Sequence, residues 1–448
     1  MSRQFRTGDQ TLVRELNRSI LLNQLLTRSP LSRADLAAIT GLNKTTVSSL
    51  VDELIAHGFV REIGANASAG GRPAVLLELN PAAGYIVGVE IGIGYLNVAL
   101  IYFHATILWK RQAPFSESDS QRQVVNQVIA LLRQAVRQGE RTGTRLLGIG
   151  IGIPALVDVT SATLIHVPNL GWRDVPLRQI LSAKFDTPIF VDNDANAAAL
   201  AERYMGAAQN VDNFVYVVAN VGIGAGIVLG GNVFHGATGY AGESGHVTLD
   251  PDGPLCYCGN RGCWERLASQ RALIERAQKA IQAGESSSIS AMTKGSNGLS
   301  LQIVLEAARQ GDAVARRALE ETGEYLGIGI ANLINTFNPA LVAFGGMLSL
   351  AEEFLTPVIQ RTVSQRAMSG PREVAQFVVS TFKSDACVIG GVALVMHDIL
   401  SRPRLDITLS SRQNGALATQ TLACPPARPA RRSTLISERK EVVSLQQP

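Results

Sequence analysis

The stretch 85-YIVGVEIGIGYLNVALIYF-103 decides the fold class of this chain of 448 residues. Two apolar runs are separated by glycines, a pattern that predicts two strands joined by a tight turn. The stretch 214-FVYVVANVGIGAGIVLGG-231 repeats this scheme, and the repetition predicts an α/β protein with two related lobes that face each other. Such glycine turns bring backbone N–H groups close to a phosphate, but the strand after each turn makes the match to the dinucleotide-binding fingerprint poor.

A polar cluster lies between the two glycine turns, in 189-IFVDNDANAAALAERYMG-206. The apolar run predicts a buried strand that ends in Asp192-Asn193-Asp194, and the alanine-rich run predicts a helix directly after it. Polar groups at the carboxyl end of a strand lie where α/β folds build ligand sites. Asn and Asp are also favoured as helix caps, so this local pattern fits a ligand site and a capped helix equally.

The stretch 246-HVTLDPDGPLCYCGNRGCWE-265 contains three of the five cysteines of the chain. Three thiolates and one imidazole complete the tetrahedral ligand set of a structural zinc ion, which predicts one zinc on His246, Cys256, Cys258 and Cys263. A disulfide and a catalytic thiol are the alternatives. Cys256 and Cys258 are too close in sequence for an easy disulfide, and a nucleophilic cysteine needs a free base, whereas His246 is better explained as a ligand.

The bulk composition indicates two to three globular domains, because 46% of the residues are hydrophobic and the length is several hundred residues. No apolar run of about 18 residues predicts a membrane span. The polar, arginine-bearing N-terminus has no signal-peptide core, and an odd number of mostly clustered cysteines suits a reducing compartment. We therefore expect a cytoplasmic protein with no membrane partner.

The first eighty residues carry the pattern of a helix-turn-helix domain. A leucine-rich stripe over Leu12–Leu26 predicts a first helix. Ser32 followed by Asp35 predicts the capped start of a second helix, Gly41 a turn, and Asn43 the cap of a third helix. The apolar faces of the second and third helices are predicted to consist of Leu36, Ile39, Val47, Leu50, Val51 and Leu54.

Short polar and basic side chains near the start of the third helix suit contact with a DNA major groove; they are Lys44, Thr45, Ser48 and Ser49. The runs FVREIG (59–64) and AVLLELN (74–80) predict two strands of a β-wing with Gly-Gly-Arg-Pro (70–73) at its tip. Arg72, held extended before proline, is predicted to enter an A·T-rich minor groove. A plain helical hairpin and an ordinary turn are the alternatives for these motifs taken singly.

Both ends of the chain are basic, with nine Lys and Arg against six Asp and Glu in residues 1–75 and eight against three in residues 400–448. A basic end attracts a phosphate backbone, although a solvated face shows the same excess. Residues 401–448 are rich in Pro, Arg, Ser and Gln, which predicts a disordered tail.

Several motifs, in this order along the chain, resemble the ROK family of sugar kinases and sugar-responsive repressors. They are the helix-turn-helix with GGRP, VDNDANAAALAE (191–202), NVGIGAGIVLGG (220–231), ESGH (243–246), CYCGNRGCWE (256–265) and FGGMLS (344–349). The resemblance covers nearly the whole chain, and the His-Cys-Cys-Cys spacing is its most specific part. It implies a winged helix-turn-helix in residues 1–82, a two-lobed actin-like sugar-binding domain in residues 83–400, and a homodimer or homotetramer.

The resemblance also implies site residues. The family holds zinc on the same His-Cys-Cys-Cys set, and its sugar ligands correspond here to Asn169, Asn193, Asp194, Glu243, His246 and Glu265. Paired donors and acceptors suit adjacent sugar hydroxyls, and charged partners strengthen such bonds. Asp194 matches the general base of the kinases, and Ala155 stands where the kinases usually have glycine.

The two phosphate loops discriminate between kinase and repressor. The kinase motif Asp-x-Gly-Gly-Thr is replaced here by EIGIGY (90–95), with Ile93 at the second glycine and a bulky Tyr95, and the threonine of the second loop falls on Val221. Phosphoryl transfer requires phosphate positioning, so these changes argue against ATP. We predict a DNA-binding repressor, resembling the xylose and N-acetylglucosamine repressors, that has no catalytic residues and is released from the operators of carbohydrate genes by a monosaccharide.

The alternative is an ATP-dependent sugar kinase that uses Asp194 as its base. Xylose, glucose and N-acetylhexosamines are all compatible with the residue types of the predicted sugar site.

Overall fold

The computed structural model of the protein describes residues 10–66, 74–103, 107–116, 118–293, 298–401 and 403. The N-terminal part, here called the head, contains three helices and a small sheet: α1 (Gln10–Arg28), β1 (Leu31–Ser32), α2 (Arg33–Thr40), α3 (Lys44–Ala56), β2 (Val60–Asn66) and β3 (Ala74–Leu79). Strand β3 pairs antiparallel with both β1 and β2. This arrangement is a winged helix-turn-helix, as predicted; the wing tip and Arg72 lie outside the described residues.

Local capping explains where the helices of the head begin and end. The Ser32 Oγ accepts a hydrogen bond from the Asp35 N–H at 3.1 Å, while the Asp35 carboxylate accepts one from the Ser32 N–H at 2.9 Å, so the predicted capping box is present. Gly41 ends α2 with a φ of 71°, and the Asn43 side chain accepts from the Thr46 N–H at 2.7 Å. The predicted inward face of α3 is buried: Val47, Leu50, Val51 and Leu54.

The predicted apolar faces of α1 and α2 are wrong in part. Leu12 and Leu16 are 36% and 58% exposed, and Ile39 on α2 is 39% exposed. The buried leucines of α1 lie in its second half, where α1 meets the core of the head: Leu21, Leu22 and Leu25. A helical stripe in the sequence does not show which of its apolar residues are buried. In α1 the buried leucines all lie in the second half of the helix.

The first lobe of the body follows a short 3₁₀ turn at Pro81–Ala83. It consists of β4 (Tyr85–Ile91), β5 (Tyr95–Tyr102), β6 (Ile107–Pro114), α4 (Gln121–Glu140), β7 (Leu146–Ile153), β8 (Leu156–Asp158), β9 (Thr163–Val167), β10 (Trp172–Val175), α5 (Leu177–Ser182), β11 (Ile189–Asn193) and α6 (Asp194–Met205). Strands β8, β9 and β10 form a separate small antiparallel sheet. A 3₁₀ turn at Pro168–Leu170 follows β9.

The second lobe completes the body. It consists of β12 (Phe214–Ala219), β13 (Ile223–Leu229), β14 (Asn232–Val233), α7 (Trp264–Ala268), α8 (Gln270–Gln282), α9 (Ile289–Met292), α10 (Leu301–Arg309), α11 (Ala313–Phe337), β15 (Leu341–Gly345), α12 (Glu352–Arg366), α13 (Ser369–Val374), β16 (Gln376–Val379) and α14 (Ala386–Ser401). Further 3₁₀ turns lie at Ser244–His246, Met347–Ala351 and Lys383–Asp385.

The two lobes share one sheet topology, which confirms the prediction from the repeated glycine turns. The first sheet has the order β11-β7-β4-β5-β6 and the second the order β14-β13-β12-β15-β16. In each sheet an antiparallel set of three strands continues into two parallel strands: β4, β5 and β6 with β7 and β11, and β12, β13 and β14 with β15 and β16. The turn β4–β5 and the turn β12–β13 therefore occupy equivalent places.

Helices α6 and α14 form the layer shared by the two lobes. Glycines allow backbone-to-backbone packing here: a Cβ at Gly150 of β7 would lie 1.8 Å from the Gly391 carbonyl oxygen, and one at Gly390 would lie 2.3 Å from the Ala197 backbone. Within the described part of the chain one helical segment, Lys383–Ser401, has the length and hydropathy of a membrane span. Because 72% of it is buried inside the fold, it is a core helix of the body.

The head packs directly on the body. Arg145, just before β7, donates to the His57 carbonyl at 3.0 Å and to the Ala83 carbonyl at 3.2 Å, and its guanidinium lies 5.1 Å from the centre of the Phe59 ring. The buried leucines of α1 join one hydrophobic cluster with the last residues of α14, including Leu400. The DNA-binding fold and the two-lobed body thus share a core. The domain boundaries expected at residues 82/83 and 400/401 fall in the 3₁₀ turn and at the end of α14.

Candidate functional site

A cleft with a volume of about 680 Å³ lies between the two lobes. Its lining includes every residue predicted to contact a sugar: Asn169, Asn193, Asp194, Glu243, His246 and Glu265. The cleft is also lined by the three residues that were predicted to differ from the phosphate loops of the kinases, namely Ile93, Tyr95 and Val221. The fold therefore brings together side chains that are up to about 170 positions apart in the sequence.

The junction of β11 and α6 presents the polar cluster to the cleft. The Asn193 Oδ1 accepts from the N–H groups of Ala195 and Asn196 at 2.8 and 3.4 Å, and its Nδ2 donates to the Ala155 carbonyl at 3.3 Å. Asn193 thus caps α6 and also lines the cleft. Asp194, the first residue of α6, lines the cleft as well.

Carboxyl groups dominate the electrostatics of the cleft. Burial raises the pKa of Asp194 to about 6 and that of Glu243 to about 7, with Asp194 and Glu265 adding to the effect on Glu243. Burial also raises the pKa of Glu265. For Glu265 the effect of burial outweighs the lowering effect of Arg266 and Arg271. Carboxyl groups of this kind can accept hydrogen bonds from hydroxyl groups.

Glu265 lies on the second-lobe glycine turn. It is 8% exposed, and its Oε2 accepts a hydrogen bond from the Ile223 N–H at 3.2 Å. A Cβ at Gly222 would lie 2.3 Å from that oxygen, so the glycine makes room for the carboxylate. A backbone N–H of this turn is therefore bound by the protein's own glutamate.

The first-lobe glycine turn is filled by Tyr95. A Cβ at Gly92 would lie 2.3 Å from the Tyr95 ring, and the Tyr95 hydroxyl donates to the Glu90 Oε1 at 2.7 Å. Burial raises the pKa of Glu90 to about 7. The aromatic ring thus covers the first-lobe glycine turn.

The four predicted metal ligands form one cluster. The ligand atoms of His246, Cys256, Cys258 and Cys263 all lie within 4.8 Å of one another. The Cys258 and Cys263 sulfurs are 3.6 Å apart, and the His246 Nδ1 is 3.7 Å from the Cys256 sulfur. Two thiolates on one tetrahedral zinc, each bound at ~2.3 Å, lie roughly 3.8 Å apart. The residues therefore fit a metal ion of the zinc type, and their sulfurs are free thiols rather than a disulfide.

The histidine of this cluster also faces the cleft. While its Nδ1 points to the thiols, its Nε2 is 3.3 Å from the Tyr257 hydroxyl and 4.0 Å from a Glu243 oxygen. Burial lowers the pKa of His246, which favours the neutral imidazole that a metal requires. Asn260 supports the loop from behind by donating to the Thr248 hydroxyl at 2.8 Å.

Sequence reasoning missed a pair formed by the buried Asp192 and the half-buried His235. Asp192 is 4% exposed; one of its oxygens accepts from the Asn196 side chain at 3.0 Å, and the other lies 2.8 Å from the His235 Nε2. The hydrogen bond to Asp192 raises the pKa of His235. The pair anchors the loop after β14 to the β11–α6 junction. No local signal marks His235, since it is a lone histidine in a loop.

The residues predicted to contact DNA lie together at the start of α3. Lys44, Thr45 and Ser49 are exposed and Ser48 is half-buried, so they form one polar surface beside the buried face of the helix. Arg14 of α1 borders this surface, with its guanidinium 3.5 Å from the Ser49 hydroxyl and an ion pair to Glu53 at 2.8 Å.

Comparisons with known proteins agree with this architecture. The ROK family model matches residues 86–398, and the MarR family model matches residues 15–67. A putative xylose repressor of Caldicellulosiruptor sp. (strain Rt8B.4) is 38% identical over 397 residues, which are 88% of this chain and 99% of the relative.

Two solved structures are also similar. A ROK family transcriptional regulator, described as a homolog of the E. coli MLC protein, has a TM-score of 0.77 and 30% identity and covers 87% of this chain and 97% of its own. A ROK family glucokinase from Streptomyces griseus in complex with glucose and AMPPNP has a TM-score of 0.63 and 31% identity, covering 69% of this chain and 98% of its own. The chain is therefore a member of the ROK family.

Proposed function

We propose that the protein is a sugar-responsive transcriptional repressor. Its head binds operator DNA, and a sugar bound in the cleft weakens that binding. The observation that carries the proposal is a contrast within the cleft. All six residues predicted to contact a sugar line it, whereas Tyr95 covers the first-lobe glycine turn, where the kinases have their phosphate motif. The naming of a relative along nearly its whole length as a putative xylose repressor supports the same function.

In this proposal one monosaccharide unit is held beside the β11–α6 junction. Asp194, Glu243 and Glu265 accept hydrogen bonds from its hydroxyls, and Asn169 and the His246 Nε2 add contacts. A buried hydroxyl bonded to a charged acceptor is held more strongly than one bonded to a neutral acceptor. A zinc ion on the four ligands would fix the loop that carries His246, and Glu265 follows its last ligand by two residues.

The second candidate function is a sugar kinase. One observation favours it: Asp194 lies in the cleft with its pKa raised to about 6, a property suited to a general base. Against it stands the Tyr95 ring, which covers the first-lobe glycine turn at Gly92. We therefore propose that catalysis is absent or vestigial.

For DNA binding we propose that α3 enters the major groove with Lys44, Thr45, Ser48 and Ser49, and that Arg72 enters the minor groove from the wing. A homodimer, or a tetramer made of two dimers, would place two such helices on half-sites about 34–36 Å apart or at a multiple of that spacing. The site of action is then the cytoplasm, where the operator DNA is.

The decisive experiment is footprinting of the full-length protein on DNA around its own gene, with and without xylose, glucose or N-acetylglucosamine. A protected A·T-rich palindrome that one sugar releases is the expected result. Lys44→Ala should weaken binding generally and Arg72→Ala chiefly at A·T-rich sites, whereas Arg137→Ala, an exposed change on α4 of the body, should leave the footprint intact. Absence of any protected palindrome, or protection that no sugar changes, contradicts the proposal.

A further inference from the structure

The first-lobe end of the cleft carries a row of polar side chains that the proposed sugar contacts do not use. Glu90 of β4 pairs with Asn97 of β5, and Asn97 pairs with Gln112 of β6. Directly paired residues point to the same face of a sheet, so the three side chains stand side by side across three strands. All three line the cleft.

This polar row has an unused hydrogen-bonding atom. Asn97 is 4% exposed, its Nδ2 lies 3.5 Å from the Glu90 Oε2, and its buried Oδ1 has no partner. A buried acceptor without a partner destabilises the folded state. A ligand group that donates a hydrogen bond, such as a hydroxyl, removes this cost.

The same end of the cleft is unsuited to phosphate. Lys110 is the one lysine of the described cleft lining, which includes no arginine, and it is paired with Asp385 at 2.5 Å. An anion placed here would meet the carboxyl groups of Glu90, Asp194 and Asp385. The row instead offers one carboxyl and two amides, the usual partners of neutral hydroxyl groups.

The position of Asp194 shows that this row continues the proposed sugar site. Asp194 lines the same cleft as the polar row of the first lobe and as Glu243 of the second lobe. The cleft volume of about 680 Å³ lies within the range of ~300–1,000 Å³ typical of pockets that enclose drug-sized ligands. That range includes ligands larger than one pyranose ring.

We propose that Glu90, Asn97 and Gln112 form a second subsite for an uncharged, hydroxyl-bearing unit, so that the preferred ligand is a disaccharide and not a monosaccharide or a sugar phosphate. This proposal rests on the proposed function, because it extends the same sugar site. The proposal gives a ligand-binding function to the first-lobe half of the cleft, where Tyr95 covers the glycine turn.

Calorimetry on the full-length protein tests the second subsite with matched probes: xylose and xylobiose, glucose and cellobiose, and glucose 6-phosphate. One disaccharide should bind about tenfold more tightly than its monosaccharide, the gain from one or two net hydrogen bonds. Gln112→Ala should reduce that gain and leave the monosaccharide affinity unchanged. Arg111→Ala, which removes a side chain from the opposite face of the same strand, is the matched control and should change neither.

Asn97→Ala should have the same effect as Gln112→Ala. Because Asn97 is buried, a thermal melt must show that the Asn97→Ala protein folds. Gln112 is exposed, so Gln112→Ala does not disturb the core packing. The proposal is overturned if no disaccharide binds more tightly than its monosaccharide, or if glucose 6-phosphate binds more tightly than glucose. A monosaccharide that releases DNA as well as any disaccharide overturns this proposal alone, whereas DNA binding that responds to no sugar overturns the proposed function.

Discussion

The two ends of the cleft are built on the same strand–turn–strand unit and differ in how each turn is used. At the second-lobe end the Glu265 carboxylate packs against Gly222 of the turn. The neighbouring loop contains the cluster of four potential metal ligands. At the first-lobe end the Tyr95 ring covers Gly92 and its hydroxyl holds Glu90. The second-lobe end thus contains the His-Cys-Cys-Cys cluster in a loop, whereas the first-lobe end contains the Tyr95 ring packed on a turn of the sheet.

This difference shows that equivalent turns of the two lobes are filled by different groups of the protein. Tyr95 covers the first-lobe turn and Glu265 binds a backbone N–H of the second-lobe turn, and both remain part of the cleft lining. The four predictions below test the two ends separately.

The largest effect is expected from Cys258→Ser at the metal end. Cys258 is exposed, so its loss disturbs the metal and not the core packing. Zinc affinity should fall by more than the roughly 10–100-fold that removal of an outer partner costs, and sugar binding should fall with it because Glu265 and His246 lose their support. Metal analysis and thermal melts measure this. Cys387→Ala, outside the cluster, should keep one zinc per chain; a stoichiometric zinc content in Cys258→Ser contradicts the assignment.

The next effect is expected at the tyrosine end, from Glu90→Gln. Because the pKa of Glu90 is raised from 4.5 to about 7, the folded state binds more protons than the unfolded state between these values. The unfolding free energy therefore falls as pH rises through this window. The variant avoids that loss, so at pH 8 it should be more stable than the wild type by up to about 3 kcal/mol, with little difference at pH 4.5.

Denaturant unfolding at the two pH values measures the effect of Glu90→Gln, and the exposed Glu320→Gln serves as the control with no pH-dependent difference. Equal stability of wild type and Glu90→Gln at pH 8 would show that the Glu90 carboxyl carries no burial penalty.

A smaller effect is expected between the two ends, from Asp194→Asn. Loss of the charged acceptor for one buried sugar hydroxyl costs about 1–3 kcal/mol, a severalfold to hundredfold loss of affinity. Wild-type affinity should also fall as pH drops through about 6, where Asp194 becomes protonated, and the variant should lack this step. Calorimetry at pH 5 and 7.5 measures both, with Asp212→Asn on the surface as control. Unchanged affinity in Asp194→Asn removes the residue from the site.

The smallest effect is expected in ADP release. With both phosphate turns covered, the wild type should show turnover far below the ~1 per second of typical kinases, and Val221→Thr, which restores one hydroxyl, should leave it there. A coupled assay with each candidate sugar measures this, and the same assay on a sugar kinase serves as the positive control. Turnover of order 1 per second or above would establish the kinase function instead.

Local chemistry made much of the fold predictable. The Ser32–Asp35 capping box, the Asn43 cap and the buried face of α3 follow from residue type and spacing, and the structure has them as expected. The His-Cys-Cys-Cys cluster was predictable for the same reason, since its ligands lie within 18 consecutive residues. The repeated glycine turns likewise predicted two lobes.

The remaining features depend on contacts between distant segments, which sequence spacing does not encode. The Asp192–His235 pair joins residues 43 positions apart, and Arg145 contacts a carbonyl 88 positions away. The sequence identified Tyr95 as an obstacle to phosphate binding. Its hydrogen bond to Glu90 could not be predicted without knowing the register between β4 and β5. The stripe on α1 misled because only the leucines in the second half of the helix are buried.

The contact between α1 and α14 has a consequence for the synthesis of the protein. The Asn23 side chain donates to the Leu400 carbonyl at 3.2 Å, and Leu400 shares a hydrophobic cluster with the leucines of α1. The first described helix of the chain therefore completes its packing against the last. During translation the head emerges several hundred residues before α14, so this part of its packing cannot form until the ribosome has made nearly the entire chain.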